Sequence, residues 1–162
     1  MDQGGTFRKE RMKMAEHEFR LTADWNGGRN AEGRISAGNL DTVISIPKEM
    51  GGPGVGTNPD EMLIGAAATC YIITLAAMLE RRRIPVEKLS LESIGVVSEN
   101  KGRLKFESIT HKPHLTLGAG VTVEQVEEAE ALTETAERSC MISNALRGNV
   151  ALSVTARVDR LE

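Results

Sequence analysis

The chain has 162 residues, a formal net charge of −3, 40% hydrophobic and 27% charged residues, and two cysteines. A chain of this length can enclose a hydrophobic core without disulfides, and the composition is that of an ordinary soluble globular protein. The slightly acidic balance and the 3% aromatic content argue against a nucleic-acid partner. Because cysteines are few and no secretory signal is recognisable, we expect a reducing, cytoplasmic location.

The first residues, 1–15, are polar and are expected to form a disordered leader, or an added extension before a start at Met12 or Met14. This leaves one domain over 16–162. Residues 16–25 alternate between apolar and polar side chains, which predicts a half-buried strand with Phe19, Leu21 and Trp25 on one face.

Short strands are expected at 33–37 and 42–47, followed by a loop over 50–59 with four glycines and two prolines. This loop lacks the Gly-Lys-Ser/Thr ending of a phosphate-binding loop. It leads into a strong helix start, because Asn58 suits the N-cap and Pro59 suits the first helical position.

The helix that begins there is predicted to run to about Arg83. It is apolar on nearly all sides, so we expect other elements to surround it. Its apolar run, 62–79, contains glycine, alanine and threonine, which favours a buried core helix over a membrane span.

The C-terminal half alternates between strand and helix patterns. The predicted elements are strands at 89–99 and 102–117 joined by a turn at 100–102, a helix at 122–138, a short helical piece at 142–146 and a closing strand at 150–158. With about six strands and two main helices, clustered rather than strictly alternating, the chain is predicted to be α+β.

Several charged groups are interpreted as surface features. His17, His111 and His114 are expected on exposed strand positions, because no set of converging ligands accompanies them as zinc requires. The six glutamates within 124–137 are expected to form an exposed acidic helix face. No metal and no cofactor is predicted.

The two cysteines are the candidate functional residues. Cys70 lies ten residues after Asp60, too deep in the helix for its dipole to act, and a thiol in apolar surroundings has a raised pKa. A reactive Cys70 would therefore need a cation from elsewhere in the fold. The candidates are Arg29, Arg34, Arg81–Arg83, Arg138 and Arg147.

Cys140 lies where the second helix pattern breaks, so backbone N–H groups of the following turn can reach it. From the residues alone, the pair is either a redox couple or two inert core thiols.

Three segments resemble motifs of the OsmC/Ohr family, the osmotically inducible and organic-hydroperoxide-resistance proteins. Gly51-Gly-Pro-Gly-Val-Gly-Thr-Asn-Pro-Asp-Glu-Met-Leu-Ile-Gly-Ala-Ala-Ala-Thr-Cys70 resembles the family's first cysteine motif. Ser139-Cys-Met-Ile-Ser-Asn-Ala-Leu-Arg-Gly-Asn-Val150 resembles the second, and Asn26-Gly-Gly-Arg-Asn30 resembles its arginine turn. The resemblance extends over about residues 16–158.

The resemblance implies an OsmC-like fold, with antiparallel sheets wrapped around two main helices in an intertwined homodimer. It implies a stress-response thiol peroxidase in which Cys70 is peroxidatic and Cys140 is resolving. Arg29 would support the thiolate and would be held by Asp60, which stands where the family has a glutamate, with Glu61 as the alternative carboxylate.

The implied partners are an organic hydroperoxide and a dithiol reductant, either a lipoyl protein or a small thiol, with no nucleic acid and no membrane. A second departure from the family pattern is Met141, where a proline often follows the resolving cysteine. The alternatives are a non-catalytic member that acts as a redox sensor or binds a small apolar ligand, and a structural dimer with idle thiols.

Overall fold

A computed structural model describes residues 15–162, which divide into two compact units at the boundary between Thr57 and Asn58. The predicted leader, apart from Ala15, lies outside the described residues. The described part of the chain contains seven strands and three α-helices, so the fold class is α+β, as predicted.

The N-terminal unit contains one antiparallel sheet with the order β1-β2-β3, formed by Thr22–Trp25, Gly33–Ala37 and Leu40–Ile44. The prediction of a long, half-buried first strand over 16–25 is wrong. β1 pairs only over four residues, because its partner β2 ends at Ala37 in a tight turn. Phe19 is 92% exposed and all four residues of β1 are exposed.

The glycine-rich loop folds back onto β3 rather than forming a ligand cradle. Ser45 accepts a hydrogen bond from the N–H of Val55 at 2.8 Å, and the N–H of Thr57 donates to the carbonyl of Val43 at 2.9 Å. Gly56 has a φ of +66°, and a Cβ there would lie 2.1 Å from the carbonyl oxygen of Val43. Only glycine therefore fits this position.

The C-terminal unit holds both cysteines. Its elements are α1 (Pro59–Arg81), β4 (Val86–Asn100), β5 (Arg103–Leu117), α2 (Val123–Ser139), α3 (Met141–Leu146), β6 (Ala151–Val154) and β7 (Arg157–Arg160). The expected helix start is confirmed, since the Asn58 side chain accepts a hydrogen bond from the N–H of Glu61 at 3.0 Å. The expected turn between β4 and β5 is also confirmed, with positive φ at Lys101 and Gly102.

The predicted closing strand is divided into β6 and β7, and both pair in parallel with β5, so this sheet is mixed rather than purely antiparallel. The division has a cause in β5. Thr155 stands opposite Lys112, one position beyond the His111–Val154 pair. In a parallel ladder its N–H would bond to His111 and its carbonyl to Pro113, the residues on either side of Lys112. Its N–H donates to the carbonyl of His111 at 2.8 Å, but Pro113 has no N–H to return.

The core of this unit lies between α1, α2 and the sheet. A single stripe of α1 is buried, formed by Ala67, Tyr71, Leu75 and Leu79. Around it pack Leu115 and Leu117 of β5 and Ala129, Leu132 and Ala136 of α2. The spacing of four residues along α1 places this stripe on one helix face.

The rest of α1 is less covered than the sequence predicts. Ile73 is 62% exposed, and only 22% of the helix's most apolar 18-residue window is buried. By length and composition alone, with a mean hydropathy of 2.1 in that window, this helix could cross a membrane. The expectation that other elements surround α1 is therefore not met by the described chain.

We expect Leu75→Ala to lower the free energy of unfolding by about 2–5 kcal/mol, because it leaves a cavity at a fully buried site between α1 and its neighbours. Denaturant unfolding measures this change. Leu104→Ala, on a side chain that is 56% exposed, is the control and should change stability by no more than about 0.5 kcal/mol. Equal effects of the two variants would contradict this description of the core.

Candidate active site

Cys140 forms the corner between two helices. It is the C-cap of α2 and the N-cap of α3, with an extended backbone (φ −66°, ψ 125°). Its side chain is fully buried, and its sulfur accepts a hydrogen bond from the N–H of Ser143 at 3.5 Å. The helix direction changes at this single residue, so the corner fixes where the thiol points.

Cys70 lies on α1 against the start of α3. The side chain of Ile142 packs in the same cluster as Ala67, which is one helical turn before Cys70. Cys70 is partly buried and Cys140 is buried, and both are free thiols. The structure therefore brings together the two cysteines that are 70 positions apart in the sequence.

Hydrogen bonds to the Cys70 sulfur favour its thiolate. Burial alone would raise the pKa of Cys70, but bonds from the Cys140 side chain and from the backbone of Ile142 and Met141 lower it. The Thr74 side chain, whose hydroxyl also donates to the carbonyl of Cys70 at 2.8 Å, adds a further lowering. Together these bonds outweigh burial, and the pKa of Cys70 lies below that of an ordinary cysteine.

Cys140 is shifted in the opposite direction. Burial raises the pKa of its thiol, and donation of its proton to Cys70 raises the pKa further, against the opposing hydrogen bonds from Ser143. The couple thus contains one thiol whose pKa is lowered and one whose pKa is raised. A lowered pKa increases the fraction of thiolate, which is the nucleophilic form of cysteine.

The expectation that backbone N–H groups after the helix break reach Cys140 is confirmed, because the N–H of Ser143 donates to its sulfur at 3.5 Å. The sequence did not indicate that the same short helix also serves Cys70. Hydrogen bonds from the backbone of Met141 and Ile142 lower the pKa of Cys70. The first N–H groups of a helix have no partner within it, so α3 can offer these donors without losing a bond of its own.

Several of the candidate cations have other partners within their own units. Arg34 pairs with Asp41 at 2.7 Å and Arg82 with Glu128 at 3.2 Å. Arg29, in the N-terminal unit, donates to Asn30 at 2.9 Å and to the carbonyl of Met50 at 2.9 Å. Its proposed role at Cys70 stays a prediction.

The predicted carboxylates lie at the start of α1, where Asp60 and Glu61 occupy its first turn. Acidic side chains stabilise a helix N-terminus there, which is a sufficient reason for both. Their proposed functional role also stays a prediction. Within residues 15–162, no three His, Cys, Asp or Glu residues are grouped as a metal site would require.

A buried polar pair includes Tyr71, the residue after Cys70, and it corrects the expectation for one histidine. His111 is fully buried rather than exposed, and its ring stacks on Tyr71 with 4.5 Å between centroids. The Ser93 hydroxyl bonds to His111 Nδ1 at 2.7 Å, while Nε2 has no hydrogen-bond partner. Burial lowers the pKa of His111, so the neutral ring prevails at neutral pH.

The acidic face expected on α2 also needs correction at its end. Glu137 is buried, with a side chain only 6% exposed, and it pairs with Arg147 at 2.8 Å. Sequence reasoning missed this pair, and it assigned the backbone donors of α3 to Cys140 alone. The spacing of ten residues across a helix break gave no periodic signal. Thr74, one turn after Cys70, was the one contributor that helical spacing could have found.

The fold agrees with the comparisons with known proteins. The family model described as OsmC-like protein matches residues 51–155, which include both cysteines and all three helices. The chain belongs to the OsmC family.

Relatives extend over nearly the whole chain. A protein named "Uncharacterized protein YmaD" from Bacillus subtilis is 54% identical over 145 residues, covering 90% of this chain and 97% of its own. An "Organic hydroperoxide resistance protein-like 2" from Staphylococcus epidermidis is 30% identical, covering 89% of this chain and 100% of its own. The crystal structure of an organic hydroperoxide resistance protein OsmC from Legionella pneumophila is similar, with a TM-score of 0.66, 27% identity, and coverage of 88% and 99%.

Met141→Pro tests the contribution of a single backbone N–H. Proline suits the first position of a helix, and the extended backbone of Cys140 is compatible with a following proline. The side chain of Met141 is 73% exposed, so little packing changes. We expect the pKa of Cys70 to rise, which moves the midpoint of its alkylation rate to higher pH and lowers the rate at pH 7.

The control is Met141→Leu, which keeps the N–H and should keep the alkylation profile of the unaltered protein. The profile is measured with a small haloacetamide and assigned to Cys70 by peptide mass. An unchanged midpoint in Met141→Pro would show that this N–H does not stabilise the thiolate.

Proposed function

We propose that this protein is a cysteine-based, thiol-dependent peroxidase that reduces organic hydroperoxides to alcohols. The observation that carries the proposal is the contact between Cys70, whose pKa is lowered, and Cys140, whose pKa is raised. Membership of a family whose relatives are named for organic hydroperoxide resistance supports the choice of substrate.

The reaction begins at Cys70. Its thiolate attacks the distal oxygen of the hydroperoxide, the O–O bond breaks, and the alkoxide leaves and takes up a proton to become the alcohol. Cys70 is thereby oxidised to a sulfenic acid. The hydrogen bonds that lower the pKa of Cys70 raise the fraction of thiolate available at neutral pH.

The second step regenerates a stable site. The sulfur of Cys140 attacks the sulfenic sulfur of Cys70, hydroxide leaves and is protonated to water, and a disulfide joins the two residues. A dithiol reductant, either a lipoyl protein or a small thiol, reopens it through a mixed disulfide.

We propose that Arg29 supports the thiolate and orients the peroxide, and that Asp60, with Glu61 as its alternative, holds Arg29.

The working unit is proposed to be a cytoplasmic homodimer. The apolar face of α1 that carries Ile73 is too large to remain exposed on a soluble monomer, and a second copy would cover it. This assignment also accounts for the helix's membrane-like hydropathy without a membrane.

The catalytic proposal is tested by thiol-dependent consumption of cumene hydroperoxide. Cys70→Ser is expected to lose all turnover, because no nucleophile remains. Cys140→Ser is expected to complete about one reduction per subunit with a dithiol absent, and to accumulate a sulfenic acid that a dimedone probe labels. Arg29→Gln should retain the disulfide chemistry but react more slowly with peroxide.

Cys70→Ala and Cys140→Ala serve as controls for the hydroxyl that serine introduces. Hydrogen peroxide at the same concentration controls for substrate class. If the unaltered protein and both cysteine variants consume cumene hydroperoxide at the same negligible rate, the peroxidase proposal is wrong.

The dimer proposal predicts a native mass of about twice 17.6 kDa by light scattering. Ile73→Glu should shift the mass toward that of one chain, because a carboxylate in a dry interface costs several kcal/mol. Val123→Glu, on a similarly exposed apolar residue at the start of α2, is the matched control and should leave the mass unchanged. A single-chain mass for the unaltered protein would refute the assembly.

A further inference from the structure

The corner between α2 and α3 is spanned by an ion pair that the chemistry described so far does not use. Nη2 of Arg147 lies 2.8 Å from Oε1 of Glu137 and 3.5 Å from the Glu137 carbonyl oxygen. Nε of Arg147 donates to the Asn144 side chain at 3.3 Å. One guanidinium thus contacts both the last turn of α2, through Glu137, and α3, through Asn144.

The placement of the pair makes it a brace. Glu137 lies three residues before Cys140, and Arg147 is the residue that ends α3. The two together close a loop around Cys140, whose own N–H donates to the Glu137 carbonyl at 3.3 Å. The ion pair adds a polar connection across the corner to the packing of Ile142 and Leu146, which holds α3 against the core.

Burial of Glu137 makes the ion pair necessary for this side chain. The Glu137 side chain is 6% exposed, and a buried carboxylate without a partner is costly, so the pair must be kept intact in the folded protein. The Glu137 charge also acts on the polar pair of Tyr71 and His111. It raises the pKa of Tyr71, after the larger effects of burial and of Glu134, and it opposes the lowering of the His111 pKa by burial.

We propose that Arg147 and Glu137 are positioning residues for the Cys70–Cys140 couple. Their ion pair sets the angle of α3 so that the Met141 and Ile142 backbone and the Cys140 thiol all meet the Cys70 sulfur. Neither residue touches the substrate or the reacting atoms. The peroxide step of this inference rests on the proposed function, but the positioning of the thiols does not.

Positioning and direct charge effects give opposite signs for one variant. Glu137→Gln removes a negative charge near the site, and by charge alone the pKa of Cys70 would fall. If the brace positions α3, the same variant loosens the corner and the pKa of Cys70 rises. The direction of the shift in Glu137→Gln therefore separates the two explanations.

The experiment measures the pH profile of Cys70 alkylation in the reduced protein, together with the thermal midpoint, for Glu137→Gln, Arg147→Met and Arg147→Lys. We expect the profile to move to higher pH in the first two, with a loss on the order of tenfold in rate at pH 7, which corresponds to one pKa unit. Arg147→Lys keeps the charge but loses the planar fork of N–H donors. Its alkylation profile should lie between those of the first two variants and that of the unaltered protein.

A matched ion pair provides the control. Arg82 and Glu128 also connect two helices, at 3.2 Å, but away from the cysteines, so Arg82→Met should leave the Cys70 profile unchanged. The double variant Glu137→Gln/Arg147→Met should shift the profile no further than either single variant, because both remove one interaction. If Arg147→Met does not fold, Arg147→Lys and Glu137→Gln carry the test.

The proposal is overturned if Glu137→Gln lowers the pKa of Cys70, or if the thermal midpoints fall while the alkylation profiles stay in place. Alkylation needs no peroxide, so the result is independent of the proposed enzyme activity. If the unaltered protein fails to consume cumene hydroperoxide but the profiles shift as expected, the brace stands and the peroxidase assignment falls.

Discussion

The site depends on a set of hydrogen bonds to one sulfur atom. Cys70 lies deep in an apolar helix, where burial works against its thiolate, yet donors from the α2–α3 corner reverse the balance. Because two of the four donors are backbone groups of α3, their geometry follows from the direction of that helix rather than from side-chain choice. The corner at Cys140 therefore does two things at once, since it presents the second thiol and aims the N–H groups at the first.

This arrangement explains why the departure at Met141 matters more than its exposed side chain suggests. A proline there would fit the helix start but would remove one donor to Cys70. The chain thus replaces conformational rigidity at the corner with an additional hydrogen bond. The Glu137–Arg147 pair supplies rigidity by another route, through a contact that spans the corner from outside.

Much of the fold could be predicted because its signals are local. The capped start of α1, the β4–β5 turn and the break at Cys140 each depend on a few adjacent residues. The failures arose where a distant partner decides the outcome. The short β2 limits β1, and Pro113 of β5 divides the closing strand. His111 and Glu137 carry polar side chains typical of surfaces, but both are buried and have polar partners outside their own strand or helix.

At the site, the sequence singled out both thiols but did not assign the α3 backbone to Cys70, and the roles of Arg29 and Asp60 stay predictions. The final consequence concerns the whole C-terminal unit. A disulfide between Cys70 and Cys140 would close a loop that includes β4, β5 and α2. Closing a loop of about 70 residues lowers the conformational entropy of the unfolded chain and so raises its free energy by roughly 4 kcal/mol. The oxidised form would then have the higher free energy of unfolding. After exposure to oxidant, the protein would therefore be more stable against unfolding until a reductant opens the disulfide.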